Sequence, residues 1–125
     1  MGPPPAGDES TIKDLNIRKP YFDHIARGAK TVEVRVAYPK MTRIRPGQRI
    51  RFVSGDDWCL TVVRRVATYN SFEEMLEAED PVSIAPDISS RDELLRLIRD
   101  IYPPEKEALG VLAIHIQRLE QPPNV

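Results

Sequence analysis

The feature that most constrains the fold is the strict alternation of valine with polar residues in the stretch "GAKTVEVRV", residues 28 to 36. Successive side chains of a β-strand point to opposite faces, so this alternation predicts a half-buried strand. Val32, Val34 and Val36 share the apolar face, and the other face carries Thr31, Glu33 and Arg35. That polar face is either solvated or part of a functional site.

Short elements surround this strand in the sequence. "IKDLNIRK" is typical of a strand that starts near Ile12, and Pro20 to Gly28 has the proline at the start and the glycine at the end that favour a short helix. Pro46-Gly47 indicates a turn, after which "QRIRFVS" alternates with Ile50 and Phe52 on one side. "WCLTVVRRVATY" follows the turn "GDD" and predicts a hairpin with the preceding strand.

The C-terminal half has two helix starts, at Ser71 and at Ser90, each followed three residues later by the glutamate of a capping box. The first precedes a short acidic helix. The second precedes "RDELLRLIRDIY", with an apolar stripe of Leu94, Leu95, Ile98 and Ile101 that ends at Pro103-Pro104. "PVSIAPDISS" between the helices is predicted to be a loop. "GVLAIHIQRL" predicts a last strand, with Leu112, Ile114 and Ile116 inward and His115 outward.

This order of elements favours an α+β fold. Strands that mostly follow one another, with helices between them, are typical of an antiparallel sheet rather than of alternating parallel units. Five or six such strands are enough to curl into a small, mostly antiparallel β-barrel with short helices inserted at its ends. The 125 residues suffice for one domain. We expect a flexible leader at 1–11, the domain at 12–119 and a tail at 120–125.

Composition excludes several classes of protein. No apolar run is long enough for a membrane span, and the N-terminus "MGPPPAGDES" lacks the features of a signal peptide, so we expect a cytoplasmic protein. One cysteine and two separated histidines leave no cluster at zinc-site spacing, so we expect no metal and no cofactor. Cys59, in an apolar strand pattern, is expected to be a buried small hydrophobe.

Charge is distributed unevenly along the chain. Residues 1–65 hold 13 Lys or Arg against 7 Asp or Glu, a balance of +6, whereas residues 66–125 hold 5 against 12, a balance of −7. The segment "KMTRIRPGQRIR", Lys40 to Arg51, has five basic residues and no acid. Its local potential can attract phosphate, and a solvated loop with a strand edge is the alternative interpretation.

Lys30, Thr31, Glu33 and Arg35 are the candidates for chemistry, since the chain has no phosphate-binding glycine loop, nucleophile elbow or paired-histidine metal helix. A surface ion-pair cluster is the alternative. "GAKTVEVR", following a strand and the helix "KPYFDHIARG", resembles the G-x-K-x-x-E-x-R signature of the ASCH domain family. "RPGQRIRF", "LLRLIRDIYP" and "ALGVLAIHI" extend the resemblance over about residues 12 to 119 and to the small bacterial members.

The resemblance implies a barrel similar to that of the PUA domain, an RNA-binding module, with a cleft between barrel and helices. Tyr21, Tyr38 or Trp58 can stack on a base, or serve as core residues. The residues that we expect to bind nucleic acid are those of the signature and the basic run: Lys30, Glu33, Arg35, Tyr38, Lys40, Arg43, Arg45, Arg49 and Arg51.

A second branch of the family implies catalysis. Small bacterial members that this chain resembles are amidohydrolases that deacetylate acetylated cytidine with a lysine, a threonine and a glutamate. Their lysine falls on Lys30, their threonine on Glu33, and their glutamate, counted back from the "DIYP" element, on Asp87. Thr31 is the nearby alcohol, so a catalytic set would be Lys30, Thr31, Glu33 and Asp87, with either Thr31 or an activated water as nucleophile.

Three hypotheses remain open at this point. The first is a domain that binds RNA or single-stranded nucleic acid. The second is a metal-independent hydrolase, either the nucleoside amidohydrolase or a ribonuclease, although His24 in a helix and His115 in a strand are poorly placed for the latter. The third is a protein-interaction module that associates head to tail through its bipolar charge. We expect a monomer or a weak dimer.

Overall fold

The computed structural model describes residues 12–88 and 90–119 of the chain. The predicted leader at 1–11 and the predicted tail at 120–125 therefore lie outside the described residues. Within the described part, no helix has the length and apolar character that crossing a membrane requires.

Five strands form one curled sheet in the order β1-β3-β4-β5-β2. The β1–β3 pair is parallel and the other pairs are antiparallel, so the predicted mostly antiparallel sheet is confirmed. Because the sheet closes only part of a barrel, β1 and β2 remain as its two edges. The strands are β1 Lys13–Asn16, β2 Val32–Val36, β3 Arg49–Ser54, β4 Asp57–Tyr69 and β5 Val111–Arg118.

The helices are short and lie between strands: α1 Lys19–Ala26, α2 Phe72–Ala78, α3 Pro81–Ile84, α4 Arg91–Ile101 and α5 Pro104–Glu107, with one 3₁₀ turn at Met41–Arg43. Both predicted serine caps are present. The hydroxyl of Ser71 accepts a hydrogen bond from the amide of Glu74, and that of Ser90 accepts one from the amide of Glu93, each at 3.0 Å. The start of each helix was therefore correctly predicted.

The prediction that "PVSIAPDISS" is a loop was wrong, because its first four residues form α3. Pro81 occupies the first turn, where a missing N–H costs nothing, and the Asp80 carboxylate caps the amide of Val82 at 3.1 Å. Pro104 similarly begins α5 after Pro103 has ended α4. Local capping thus outweighed the turn-like composition of both segments.

The sheet is buried on two sides by two separate cores. On one side, residues such as Ile50, Phe52 and Ile114 pack against α1 and the 3₁₀ turn, and buried Cys59 belongs to this core as predicted. On the other side, α2 and α4 cover Val111 and Ala113. β5 is therefore buried on both faces, with Leu112, Ile114 and Ile116 inward as predicted and His115 half-buried on the opposite face. Burying each large apolar side chain contributes roughly 1.5–3 kcal/mol.

Candidate functional site

The candidate site lies at the seam between the two edge strands, where the barrel is not closed by backbone pairing. Arg35 on β2 crosses this seam, and its Nη2 donates a hydrogen bond to the carbonyl oxygen of Asn16 on β1 at 2.9 Å. Its Nε donates to Oε2 of Glu33 at 2.6 Å. The guanidinium is therefore held by two elements and is only one-fifth exposed.

Lys30 lies beneath this pair and is almost completely buried, with 4% of its surface exposed. Its Nζ donates to the carbonyl oxygens of Val32 and Ile84, both at 2.7 Å, and is 3.2 Å from Oε1 of Glu33. An ammonium has three protons, and all three have an acceptor here. A neutral amine would turn a lone pair toward one of these oxygens, so the geometry fits the charged form.

Glu33 connects the two cations and is itself buried. Burial alone would raise the pKa of this carboxyl, but the charges of Lys30 and Arg35 and their hydrogen bonds outweigh it and lower the pKa. Burial lowers the pKa of Lys30, and the carboxylate of Glu33 opposes that shift. The polar face of β2 is thus a buried, hydrogen-bonded cluster and not the solvated surface cluster that the alternation alone allowed.

A cavity of about 200 Å³ opens over this cluster. Its floor is the Lys30–Glu33–Arg35 cluster, and α4 provides an apolar wall through Leu97, Ile98 and Ile101. Ile101, predicted as part of the core stripe, is 42% exposed and lines this cavity instead. Tyr21, Tyr102 and Arg18 complete the rim. The ammonium of Lys30 also lies 5.9 Å from the centre of the Tyr21 ring.

A second cavity, of about 300 Å³, lies on the other side of Arg35. Asn16, Arg35 and Tyr102 line both cavities and form the wall between them. Its lining is more polar than that of the first cavity, and it includes Asp14, Tyr38 and Lys40. Two of the predicted binding residues, Tyr38 and Lys40, therefore lie next to the signature cluster in space.

The rest of the basic run lies elsewhere. Arg43, Arg45, Arg49 and Arg51 line neither cavity. Arg51 makes a two-pronged ion pair with Asp14, at 2.8 and 2.9 Å, and its guanidinium stacks 5.7 Å from the ring centre of Trp58. Trp58, 48% exposed, also lies outside both cavities. Arg51 and Trp58 thus lie outside both cavities, although Asp14, the partner of Arg51, lines the second one.

The structure does not bring the four hydrolase candidates together. Lys30 and Glu33 share the first cavity, but Thr31 and Asp87 are exposed and do not line it. Oδ1 of Asp87 is 3.5 Å from Nε2 of the buried His24, and neither His24 nor His115 lines either cavity. Residues 12–88 and 90–119 also contain no group of three His, Cys, Asp or Glu side chains that could hold a metal ion.

Sequence reasoning did not select three of the polar residues that line the first cavity, Asn16, Arg18 and Tyr102. Asn16 contributes through its backbone carbonyl, which no side-chain pattern can reveal. Tyr102 comes at the end of α4 in the "DIYP" element, and burial raises the pKa of its hydroxyl. The sequence signal that could have indicated Tyr102 was a tyrosine at the end of an amphipathic helix, followed directly by two prolines.

A curled five-stranded sheet with several short helices places this chain in the class of PUA-like α+β folds. The ASCH domain model matches residues 15–120, and the chain belongs to the ASCH domain family.

Two solved structures share both fold and sequence with this chain. The crystal structure of hypothetical protein PH0355 is 31% identical, with a TM-score of 0.79 over 86% of this chain and 99% of that one. The solution NMR structure of protein PF0455 from Pyrococcus furiosus is 32% identical, with a TM-score of 0.72 over 88% and 99%.

A more distant structure shares the fold alone. The crystal structure of ASCH from Zymomonas mobilis is 12% identical, with a TM-score of 0.63 over 87% of this chain and 68% of that one. No curated protein sequence matches the chain.

Proposed function

We propose that this protein binds single-stranded nucleic acid, RNA in particular, by taking one unstacked base into the first cavity. The observation that carries the proposal is a small, apolar-walled cavity whose floor is the buried Lys30–Glu33–Arg35 cluster. Its volume of about 200 Å³ is below the roughly 300–1,000 Å³ of sites for drug-sized ligands, and it suits a single base or nucleoside.

The lining groups match the chemistry of a base. Its flat faces can contact the apolar wall of α4 and the rings of Tyr21 and Tyr102. Each carboxylate oxygen of Glu33 accepts one bond from a cation, which leaves acceptor capacity for an exocyclic amine. Proteins read RNA sequence mostly from splayed single-stranded bases, because the A-form major groove is too narrow for side chains.

Lys30 acts in this proposal as a positioning residue. Its three donors are satisfied by Val32, Ile84 and Glu33, so it fixes the carboxylate and ties the end of α3 to β2. A protonated lysine without a free lone pair is a poor base or nucleophile. This favours binding over hydrolysis for the cluster as it stands.

The test is a titration of labelled single-stranded and double-stranded RNA and DNA at two salt concentrations. We expect single-stranded RNA to bind most tightly and its affinity to fall as salt rises, since phosphate contacts release counterions. Arg35→Gln should weaken binding by about tenfold or more, the range for a hydrogen bond from a charged group. Arg43→Gln, an exposed arginine outside both cavities, is the matched control and should change affinity by less than about twofold. Equal effects of the two substitutions would exclude the cavity as the binding site.

A second function, hydrolysis of an acetylated cytidine-type nucleoside, is favoured by one observation. Burial lowers the pKa of Lys30, which lies beside a carboxylate in a nucleoside-sized cavity, and such shifts are common among catalytic groups. Chromatography of acetylated cytidine after incubation with the protein tests it. Turnover by the wild type that is insensitive to salt, and that is lost in Lys30→Met under conditions in which this variant remains folded, would support this function. An intact nucleoside after incubation with the wild type would exclude it.

A further inference from the structure

We infer that the second cavity is a phosphate subsite, so that the ligand of the cleft is a nucleotide whose base and phosphate lie on opposite sides of Arg35. The assignment of the base rests on the proposed function, whereas that of the phosphate rests on the second cavity alone. The two cavities share Asn16, Arg35 and Tyr102, so one ligand can extend past Arg35 from the first to the second.

Cations from three different parts of the chain lie at or beside the second cavity. Arg35 and Lys40 line it directly. The ammonium of Lys106, on α5, lies 5.5 Å from the ring centre of Tyr38, which is also a lining residue. Such convergence creates the positive potential that attracts a phosphate.

Asp14 is the acidic residue at this cavity, and its charge is already matched. Both of its carboxylate oxygens accept hydrogen bonds from Arg51, which lower the pKa of the carboxyl group. The ion pair therefore cancels one acid against one cation. The Lys30–Glu33–Arg35 cluster has two cations for one carboxylate, so a formal charge of +1 remains there, and Lys40 adds a second positive charge that an anion can meet. A neutral or cationic ligand would find no matching acid among the other lining residues of this cavity.

Arg35 is oriented for such a contact before any ligand arrives. Its Nε is bonded to Glu33 and its Nη2 to Asn16, while Nη1 has no hydrogen-bond partner within residues 12–88 and 90–119. Two fixed bonds restrict the guanidinium to one plane, so little rotamer entropy is lost when the remaining donors bind an anion. Planar donors of this kind suit phosphate oxygens.

The first experiment titrates inorganic phosphate and pyrophosphate into the full-length protein and follows its backbone amides by NMR. We expect saturable shifts that centre on the amides of Lys40, Met41 and Asp14. Lys40→Gln should weaken this binding by roughly two- to fivefold, as expected for an exposed charge, and Arg43→Gln should leave it unchanged. Absence of saturable shifts at these residues, or equal weakening by both substitutions, would overturn the inference.

The second experiment compares a nucleoside with its 5′-monophosphate, its 3′-monophosphate and a dinucleotide. At least one phosphorylated form should bind more tightly than the nucleoside, and Lys40→Gln should remove that gain without weakening binding of the nucleoside. The two proposals fail differently. Phosphate shifts without nucleoside or RNA binding would overturn the proposed function alone, whereas RNA binding without phosphate shifts or a gain from phosphorylation would overturn the subsite alone.

Discussion

Arg35 and Asn16 are joined by a hydrogen bond of 2.9 Å, from Nη2 to the backbone carbonyl oxygen, across the gap between the two edge strands. Neither β1 nor β2 has a backbone partner on that side in the observed sheet order. One side chain thus replaces part of the ladder that would close the barrel. The same guanidinium lines both cavities, so under the proposed function one residue would serve both closure of the fold and recognition of the ligand.

Arg35→Lys separates the charge from the geometry of this residue. Lysine keeps the positive charge, but its single ammonium cannot reproduce the fork that reaches Glu33 and Asn16 together. We expect a loss of about 1–3 kcal/mol in the free energy of unfolding and a loss of RNA affinity close to that of Arg35→Gln. Denaturant unfolding and RNA titration measure the two effects. Full affinity in Arg35→Lys would mean that charge alone matters.

Lys30→Met tests the buried ion cluster. Methionine fills a similar volume but leaves Glu33 and the carbonyl oxygens of Val32 and Ile84 without their donor. Breaking a buried ion pair on one side costs about 3–5 kcal/mol, and we expect a loss of that size in urea unfolding.

The double variant Lys30→Met/Glu33→Gln supplies the control for this prediction. The double variant should be more stable than Lys30→Met alone, because it no longer buries a carboxylate that has lost its lysine partner. If the double variant instead loses the sum of the two single losses in the free energy of unfolding, Lys30 and Glu33 are not coupled.

The fold was largely predictable because its signals are local. Alternating valines, two serine caps and the Pro46-Gly47 turn each determine their own element, and Gly47 has the positive φ of 90° that such a turn favours. The missed helix α3 also had a local signal, Asp80 followed by Pro81, within a segment whose serines and prolines otherwise favour a loop. The boundaries were set by capping atoms, not by composition.

The site was less predictable because it depends on contacts between distant parts of the chain. The signature residues Lys30, Glu33 and Arg35 follow from the motif, but the carbonyls that bind Lys30 and Arg35 belong to Ile84 and Asn16. Arg51 belongs to the same basic run as Lys40, yet its guanidinium is paired with Asp14 and lines neither cavity. The positive charge of the run was therefore predictable from the sequence, whereas the partner and position of each side chain were not.

Stability should fall in acid partly through Glu33. Its pKa is lower in the folded protein than in the unfolded chain, where a glutamate titrates near pH ~4.3. The ionised carboxylate therefore stabilises the fold above that pH, and the contribution is lost as the pH falls through the folded pKa. Urea unfolding between about pH 7 and pH 2 should show a shallower acid decline in Glu33→Gln than in the wild type. Glu73→Gln, which changes an exposed glutamate on α2, is the matched control. If both substitutions change the pH dependence of stability equally, the loss of stability in acid does not arise from Glu33.

Substitutions of two residues on α4 should separate the effect of core packing on stability from the effect of the cavity wall on RNA binding. Leu94 is buried in the core, although it also touches the first cavity, whereas Ile101 is exposed at the wall of that cavity. Leu94→Ala should lower the free energy of unfolding by about 2–5 kcal/mol. Ile101→Ala removes a side chain that is already hydrated, so its effect on stability should stay within about 1 kcal/mol. It should nevertheless weaken binding of single-stranded RNA severalfold, since a base in the cavity would lose the apolar contact. Unfolding curves and RNA titrations of both variants measure this difference, and unchanged RNA affinity in Ile101→Ala would place the base outside the first cavity.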